Sequence, residues 1–148
     1  LGIAQCAPTG KIPGGGAAQS AGHKTCRVYN MSVWSIDTGY IRGWLQELSD
    51  ADYAQVVATL KVLEDEGPSL GRPLVDSIKR SKHRNMKELR PGSSGASEIR
   101  ILFAFDPTRQ AILLVAGDKA KQWEKWYHKN IPRADRLYQE HLDNLKKR

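Results

Sequence analysis

Glu98-Ile99-Arg100-Ile101-Leu102-Phe103-Ala104-Phe105 is the stretch that decides the fold. Alternation places Ile99, Ile101, Phe103 and Phe105 on one face of a strand and Arg100, Leu102 and Ala104 on the other. Asp106-Pro107 begins a turn, and Ala111–Ala116 is a continuous apolar run of the kind a central strand carries. Upstream, Met86–Arg90 reads as a shorter strand, joined to the long one through Pro91-Gly92-Ser93-Ser94-Gly95. Three strands with short connections form an antiparallel meander.

Helical periodicity flanks the meander. Met31–Ile36 reads as a short strand, and Thr38 can cap a helix carrying Ile41, Trp44, Leu45 and Leu48. Ser49 with Asp52 resembles a capping box, and Tyr53, Val56, Val57, Leu60 and Leu63 form one stripe that Gly67-Pro68 ends. The two helices are expected to pack as an antiparallel pair on the sheet. Beyond it, Asp118 can cap a segment through Trp123, Trp126 and Tyr127, and Pro132 suits the first turn of a separate last helix. Ala134, Leu137, Tyr138, His141, Leu142 and Leu145 make that helix's inner stripe, with His141 at the core edge. The class is α+β.

Residues 1–30 show neither period and hold Gly14-Gly15-Gly16, Pro8 and Pro13. They read as a flexible tail, with the compact domain spanning 31–148 and Met31 as a candidate for the true start. They contain no apolar stretch of signal-peptide type. Cys6 and Cys26 both lie there, and His23 with Cys26 lacks a second ligand pair, so no metal site is expected. Two cysteines in 148 residues exclude a disulfide-rich scaffold, and no apolar run approaches the ~18 residues of a membrane helix.

The chain carries 23 Lys+Arg against 16 Asp+Glu, a formal charge of +7. The signs segregate: Trp44–Glu66 has six acids and one base, whereas Arg72–Arg100 has eight bases and three acids. Such a basic segment favours phosphates or acidic protein surfaces as partners. No nucleophile elbow, phosphate loop or dinucleotide fingerprint occurs. The informative feature is Arg100, a charge inside a hydrophobic strand. It is costly there without an anionic partner or a cleft, and its planar fork suits phosphate. Lys87 and Arg90 lie on the adjacent strand, with Lys79, Arg80, Lys82, His83 and Arg84 before it. Lys119 and Lys121 follow the central strand, and Tyr127 and His128 lie just beyond. A basic concave face of this kind can cleave RNA without metal or other cofactor. The 2′-hydroxyl attacks the adjacent phosphorus while Lys, His or Tyr move protons and Arg holds the developing charge. DNA lacks that hydroxyl.

From Met31 to about Leu142 the sequence resembles the RelE/ParE superfamily of toxins, in particular its phage-derived Gp49-like, HigB-type branch. The resemblance rests on Leu70-Gly71-Arg72-Pro73-Leu74-Val75, Met86-Lys87-Glu88-Leu89-Arg90-Pro91-Gly92 and Glu98–Phe103. It continues in Leu114-Val115-Ala116-Gly117-Asp118-Lys119 and in Trp126-Tyr127 with Ile131-Pro132-Arg133-Ala134. It implies a RelE-like fold, two N-terminal helices on a twisted antiparallel sheet followed by C-terminal helices. It also implies the toxin of a type II toxin–antitoxin pair, acting in the cytoplasm by cleaving mRNA in the ribosomal A site. The partners implied are mRNA, the ribosome and an antitoxin with a helix-turn-helix domain; operator DNA is bound only through that antitoxin, and no membrane is involved.

Arg100 matches the family's strand arginine, Lys119 stands where an arginine usually follows the next strand, and Arg90 matches a basic position. Where RelE proteins alternate lysines before the Leu-Arg pair, this chain has Met86 and Glu88, with Lys87 out of phase. The family's acid–base lysines therefore do not carry over. The candidate catalytic set is Arg100, Lys119, His83 and Tyr127, and the candidate RNA-binding set is Lys79, Arg80, Lys82, Arg84, Lys87, Arg90 and Lys121. Arg100 is expected to point into an open hollow. Two other functions fit the same fold: a ParE-like, non-enzymatic inhibitor of DNA gyrase, and a non-catalytic module binding RNA or an acidic protein.

Overall fold

A computed structural model of the chain describes residues 34–92, 95, 97–120 and 122–148. The tail over 1–30, the cysteines and the candidate start at Met31 lie outside the described residues. In chain order the described elements are β1 (Ser35–Asp37), α1 (Arg42–Gln46), α2 (Asp50–Glu66), β2 (Val75–Ser77), β3 (Met86–Leu89), β4 (Ile99–Phe105), β5 (Gln110–Asp118) and α3 (Trp123–Lys146). One sheet runs β1-β5-β4-β3-β2. The expected meander is β3-β4-β5, paired antiparallel. Two short strands extend it: β2 adds antiparallel to β3, and β1 lies parallel to β5, so the sheet is mixed rather than purely antiparallel.

Alternation along β4 sorts two cores. Ile99, Ile101 and Phe103 join Leu89, Val75, Ala111 and Leu113 against Val56 and Leu63 of α2, with Ile41. Met86, Leu102, Ala104, Ile112, Leu114 and Val115 pack against Ile131, Ala134 and Tyr138 of α3. The sheet is thus sandwiched between α2 and α3. Pairing shifts between Leu102 and Phe103: Val115 opposes the first and Leu113 the second, leaving Leu114 as a bulge. Leu114 and Val115 consequently face the same core.

α2 begins as its sequence indicates, with the Ser49 hydroxyl accepting from the Asp52 N–H at 3.2 Å. It ends at Gly67, whose φ of +60° favours glycine, and the Trp34 indole packs so closely that a Cβ there would lie 2.4 Å from Nε1. Its inner stripe is shifted from the expected one. Val56, Thr59 and Leu63 are buried, whereas Tyr53 and Val57 are about half exposed. The helix before it is reduced to one short turn of α after a 3₁₀ turn over Gly39–Ile41. Thr38 makes no capping bond, its backbone (φ −102°, ψ 9°) lying outside the extended region a cap adopts, and Asp37 Oδ1 accepts from the Gly39 N–H at 2.8 Å.

The C-terminal region is one helix, not two. Pro132 lies inside α3. Pro132 and His128, the residue four earlier whose carbonyl loses its donor, are both exposed, so water can satisfy the freed oxygen. Ile131 and Ala134 on the other side are held in the core. Asp118 does not cap this helix; it closes the end of the sheet by accepting from the N–H groups of Glu98 (3.0 Å) and Ala120 (2.9 Å). No helix among the described residues is long and apolar enough to cross a membrane.

His141 occupies the core edge as expected, 2.8 Å from Asp106 Oδ2. Burial works to raise the Asp106 carboxyl. Hydrogen bonds from His141, the Gln110 N–H and Thr108 outweigh it and hold the group below its ordinary 3.8. A depressed carboxyl contributes stability above its unfolded value, and that contribution is lost as pH falls through the folded one. Asp106→Asn is therefore expected to melt lower at neutral pH and to show a flatter acid limb below about pH 4. Melting curves recorded from neutral to strongly acid pH check this; superimposable acid limbs would count against it.

Candidate functional site

β3 continues its two-residue period from Met86 to Glu88, and both point to the α3 side of the sheet. Arg100 of β4 shares that side with Leu102 and Ala104. The middle of α3 covers the apolar members, while its first turns bring Tyr127 over Glu88. The Glu88 side chain is only 4% exposed, so its charge must be compensated within the protein. Oε2 accepts from Arg90 Nε at 3.0 Å and from Arg90 Nη2 at 2.9 Å. Oε1 accepts from the Tyr127 hydroxyl. Arg100 Nε stands 3.9 Å from Oε1, too far for a hydrogen bond, and among the described residues it is a buried side-chain nitrogen with no hydrogen-bond partner.

Arg90 is braced from the other side by Asp76, at 3.2 Å, which also holds Arg72 at 2.8 Å. The Arg72 hydrogen bond, joined by the Ser77 N–H, keeps the Asp76 carboxyl below its ordinary value. The Tyr127 phenol is pushed well above its ordinary 10.0, first by burial and then by its bond to Glu88 and that carboxylate's charge. The Arg100 guanidinium opposes the rise. Lys119, 17% exposed, has Nζ 3.5 Å from Glu98 Oε2 and 5.8 Å from the centre of the Tyr127 ring. Trp126 sets the tyrosine ring edge-on, at 5.2 Å between centroids. It fits because Gly117 lies beneath it: a Cβ there would come within 2.5 Å of the indole Nε1. Gly117→Ala is thus expected to displace Trp126 and cost about 1–3 kcal/mol of stability. Chemical denaturation with near-ultraviolet circular dichroism checks it, and an unchanged aromatic spectrum would contradict it.

Glu88, Arg90 and Tyr127 line a hollow of about 230 Å³ together with Lys79, Arg80 and Trp123. Arg80 and Ile131 also line a second hollow of about 570 Å³, whose other walls include Lys82, His83 and Arg136. The loop bearing these cations is tied to α3 by Asp135, which accepts from the Ser81 hydroxyl and, at 3.1 Å, from the Lys82 N–H.

The structure therefore brings Arg90, Arg100, Lys119 and Tyr127 together, with Lys79 and Arg80 at the rim. Arg100 departs from expectation: its side chain is 17% exposed, Nη1 donates to the Ile99 carbonyl at 2.8 Å, and it forms a wall under Tyr127 instead of projecting into the open. His83 does not join this group. It lines the second hollow with Lys82, its ring edge-on to Tyr138 at 4.9 Å. Arg84 is exposed on the same loop. Lys87 alternates to the α2 side of the sheet, opposite Phe103, and is separated from the site by the sheet itself. Lys121 lies outside the described residues. Glu88 is the residue the sequence reading passed over. Its phase with Met86 and Arg90, two residues to either side, was the available signal. No group of three His, Cys, Asp or Glu among the described residues could hold a metal ion.

The family described as "Phage derived protein Gp49-like (DUF891)" matches residues 43–139. A protein of Mycobacterium tuberculosis (strain ATCC 25618 / H37Rv) named "Putative toxin HigB2" is 56% identical over 109 residues, 74% of this chain and 54% of its own length. A second from the same strain, "Putative toxin HigB3", is 53% identical over 95 residues, 64% of this chain and 81% of its own. The chain spans about half the length of the first of these relatives. The family match runs from α1 into the last part of α3 and so contains the whole Glu88–Tyr127–arginine cluster: the chain belongs to the phage-derived Gp49-like family, in the HigB-type branch of the RelE/ParE superfamily.

Proposed function

We propose that this protein is the toxin of a type II toxin–antitoxin pair and that it stops translation by cleaving mRNA on the ribosome. The observation that carries the reading is the cluster of Arg90, Arg100, Lys119 and Tyr127, of which Arg90 and Tyr127 line one hollow, with Arg80 shared between that hollow and a second basic one. Attack of a ribose 2′-oxygen on the neighbouring phosphorus raises the negative charge on the phosphate oxygens. Arg90, which lines the hollow, and Arg100, 17% exposed beneath Tyr127, are the clamp for that charge. The departing 5′-oxygen needs a proton, which the Lys119 ammonium can give. Arg80, Lys82 and Arg136 along the second hollow suit the flanking phosphates. The relatives' toxin names support the same reading, in which a partner antitoxin would carry the DNA-binding part.

Primer extension on mRNA from cells expressing the protein, run beside a gyrase supercoiling assay, tests it. Cuts confined to translated frames are expected. Intact mRNA with blocked supercoiling would replace the reading with a gyrase inhibitor.

A further inference from the structure

We propose that Glu88 is the terminal proton acceptor of the site and that it is reached through the Tyr127 hydroxyl. The inference rests on the RNA-cleaving reading above. Glu88 borders the hollow with only 4% of its side chain exposed, whereas Tyr127, on the same hollow, already donates to Glu88 Oε1 and stands between it and a substrate. Arg90 alone would satisfy the carboxylate as a structural ion pair. It occupies Oε2 with two hydrogen bonds and leaves Oε1 to the phenol.

A phenol with a raised pKa is a poor proton donor to water, but here its acceptor is in place. The 2′-O–H bond breaks and its proton goes to the Tyr127 oxygen. The original phenolic proton moves along the existing hydrogen bond to Glu88 Oε1, so no free phenolate forms. The 2′-oxygen–phosphorus bond forms, the phosphorus–5′-oxygen bond breaks, and the 5′-oxygen takes a proton from Lys119. The products are a 2′,3′-cyclic phosphate and a 5′-hydroxyl, and solvent later resets Glu88 and Lys119.

The charge consequence favours catalysis. Neutralising Glu88 frees Arg90 and Arg100 from their carboxylate as the phosphate gains charge, so cations spent on the protein in the resting state turn to the transition state. The groups facing Glu88 are Arg90 on its own strand, Asp76 on β2 through Arg90, Arg100 on β4 and Tyr127 on α3. Lys79 and Arg80 share the hollow, and Lys119 lies over the tyrosine ring.

The test is single-turnover cleavage of mRNA in purified ribosomal complexes at saturating protein. Glu88→Gln and Tyr127→Phe are each expected to lower the rate by roughly 10²–10⁴-fold with mRNA affinity unchanged. The double variant is expected to be no slower than either single one, because the two groups act as a unit. Glu88→Asp is expected to regain part of the rate. If Glu88→Gln fails to fold, Tyr127→Phe, which keeps both Arg90–Glu88 hydrogen bonds, decides the matter. A rate within about tenfold of wild type in either folded variant, or multiplicative losses in the double, would overturn the relay while leaving the RNase reading intact. A wild-type protein that cuts no mRNA would overturn that reading and the relay with it.

Discussion

Arg100→Ala is expected to abolish growth arrest and to lower mRNA cleavage by roughly 10²–10³-fold, the usual consequence of removing one donor from a charge-stabilising site. The guanidinium stands where an unpartnered Nε, the Tyr127 hydroxyl and the Glu88 carboxylate meet. Alanine leaves Glu88 with both Arg90 bonds and the tyrosine, so the buried carboxylate is still compensated and the fold should survive. Arg100→Lys should recover little, since an ammonium on a flexible stem cannot reproduce the planar fork. Induced expression, single-turnover cleavage and antitoxin binding measured on the same variants separate chemistry from folding. Wild-type toxicity from a folded Arg100→Ala protein would remove the arginine from the mechanism.

Phe103→Ala is expected to cost about 3–5 kcal/mol. The ring is fully buried at the centre of β4, among the side chains that α2 covers, and meets Phe105 edge-on at 5.3 Å. Domains of this size are stable by only about 5–15 kcal/mol, so the variant should unfold at markedly lower urea and melt more than about 10 °C below wild type. Urea titration gives the value directly. A loss under about 1 kcal/mol would mean that α2 and the sheet close over the cavity, a collapse that rigid cores seldom achieve.

What could be read from the sequence follows the range of the signal. Phe103 and its neighbours were legible because alternation is local, and the start of α2 was legible because Ser49 and Asp52 cap it within one turn. Gly67 marks the end of that helix for the same reason. Pro132 misled because a proline forbids one hydrogen bond without saying whether water can take its place, and the packing of Ile131 and Ala134 decides that. Thr38 misled because a capping residue type does not fix its own backbone, which here lies outside the extended region a cap needs. β1 and β2, three residues each, carry too little pattern to announce a pairing partner that is distant in the chain. In the site, Arg100 and Tyr127 stood out by residue type. Glu88 looked like a loss of the expected lysine; only the cross-strand neighbourhood shows that a carboxylate there is held by two arginines and a phenol. Lys87 shows the converse, the right chemistry on the wrong side of the sheet.

The extra residue at Leu114 carries a consequence for the history of this chain. It reverses the parity of everything after it on β5, so that Gly117 arrives under Trp126 rather than in the opposite layer. Deleting Leu114 would leave Leu113 opposite Phe103 and Val115 opposite Leu102 in plain alternation, so every later side chain, Gly117 under the indole included, would keep its face. A one-residue deletion elsewhere on β5 would send the side chains beyond it to the wrong layer, so Leu114 is the position of this strand where the loss of a single residue should be tolerated best.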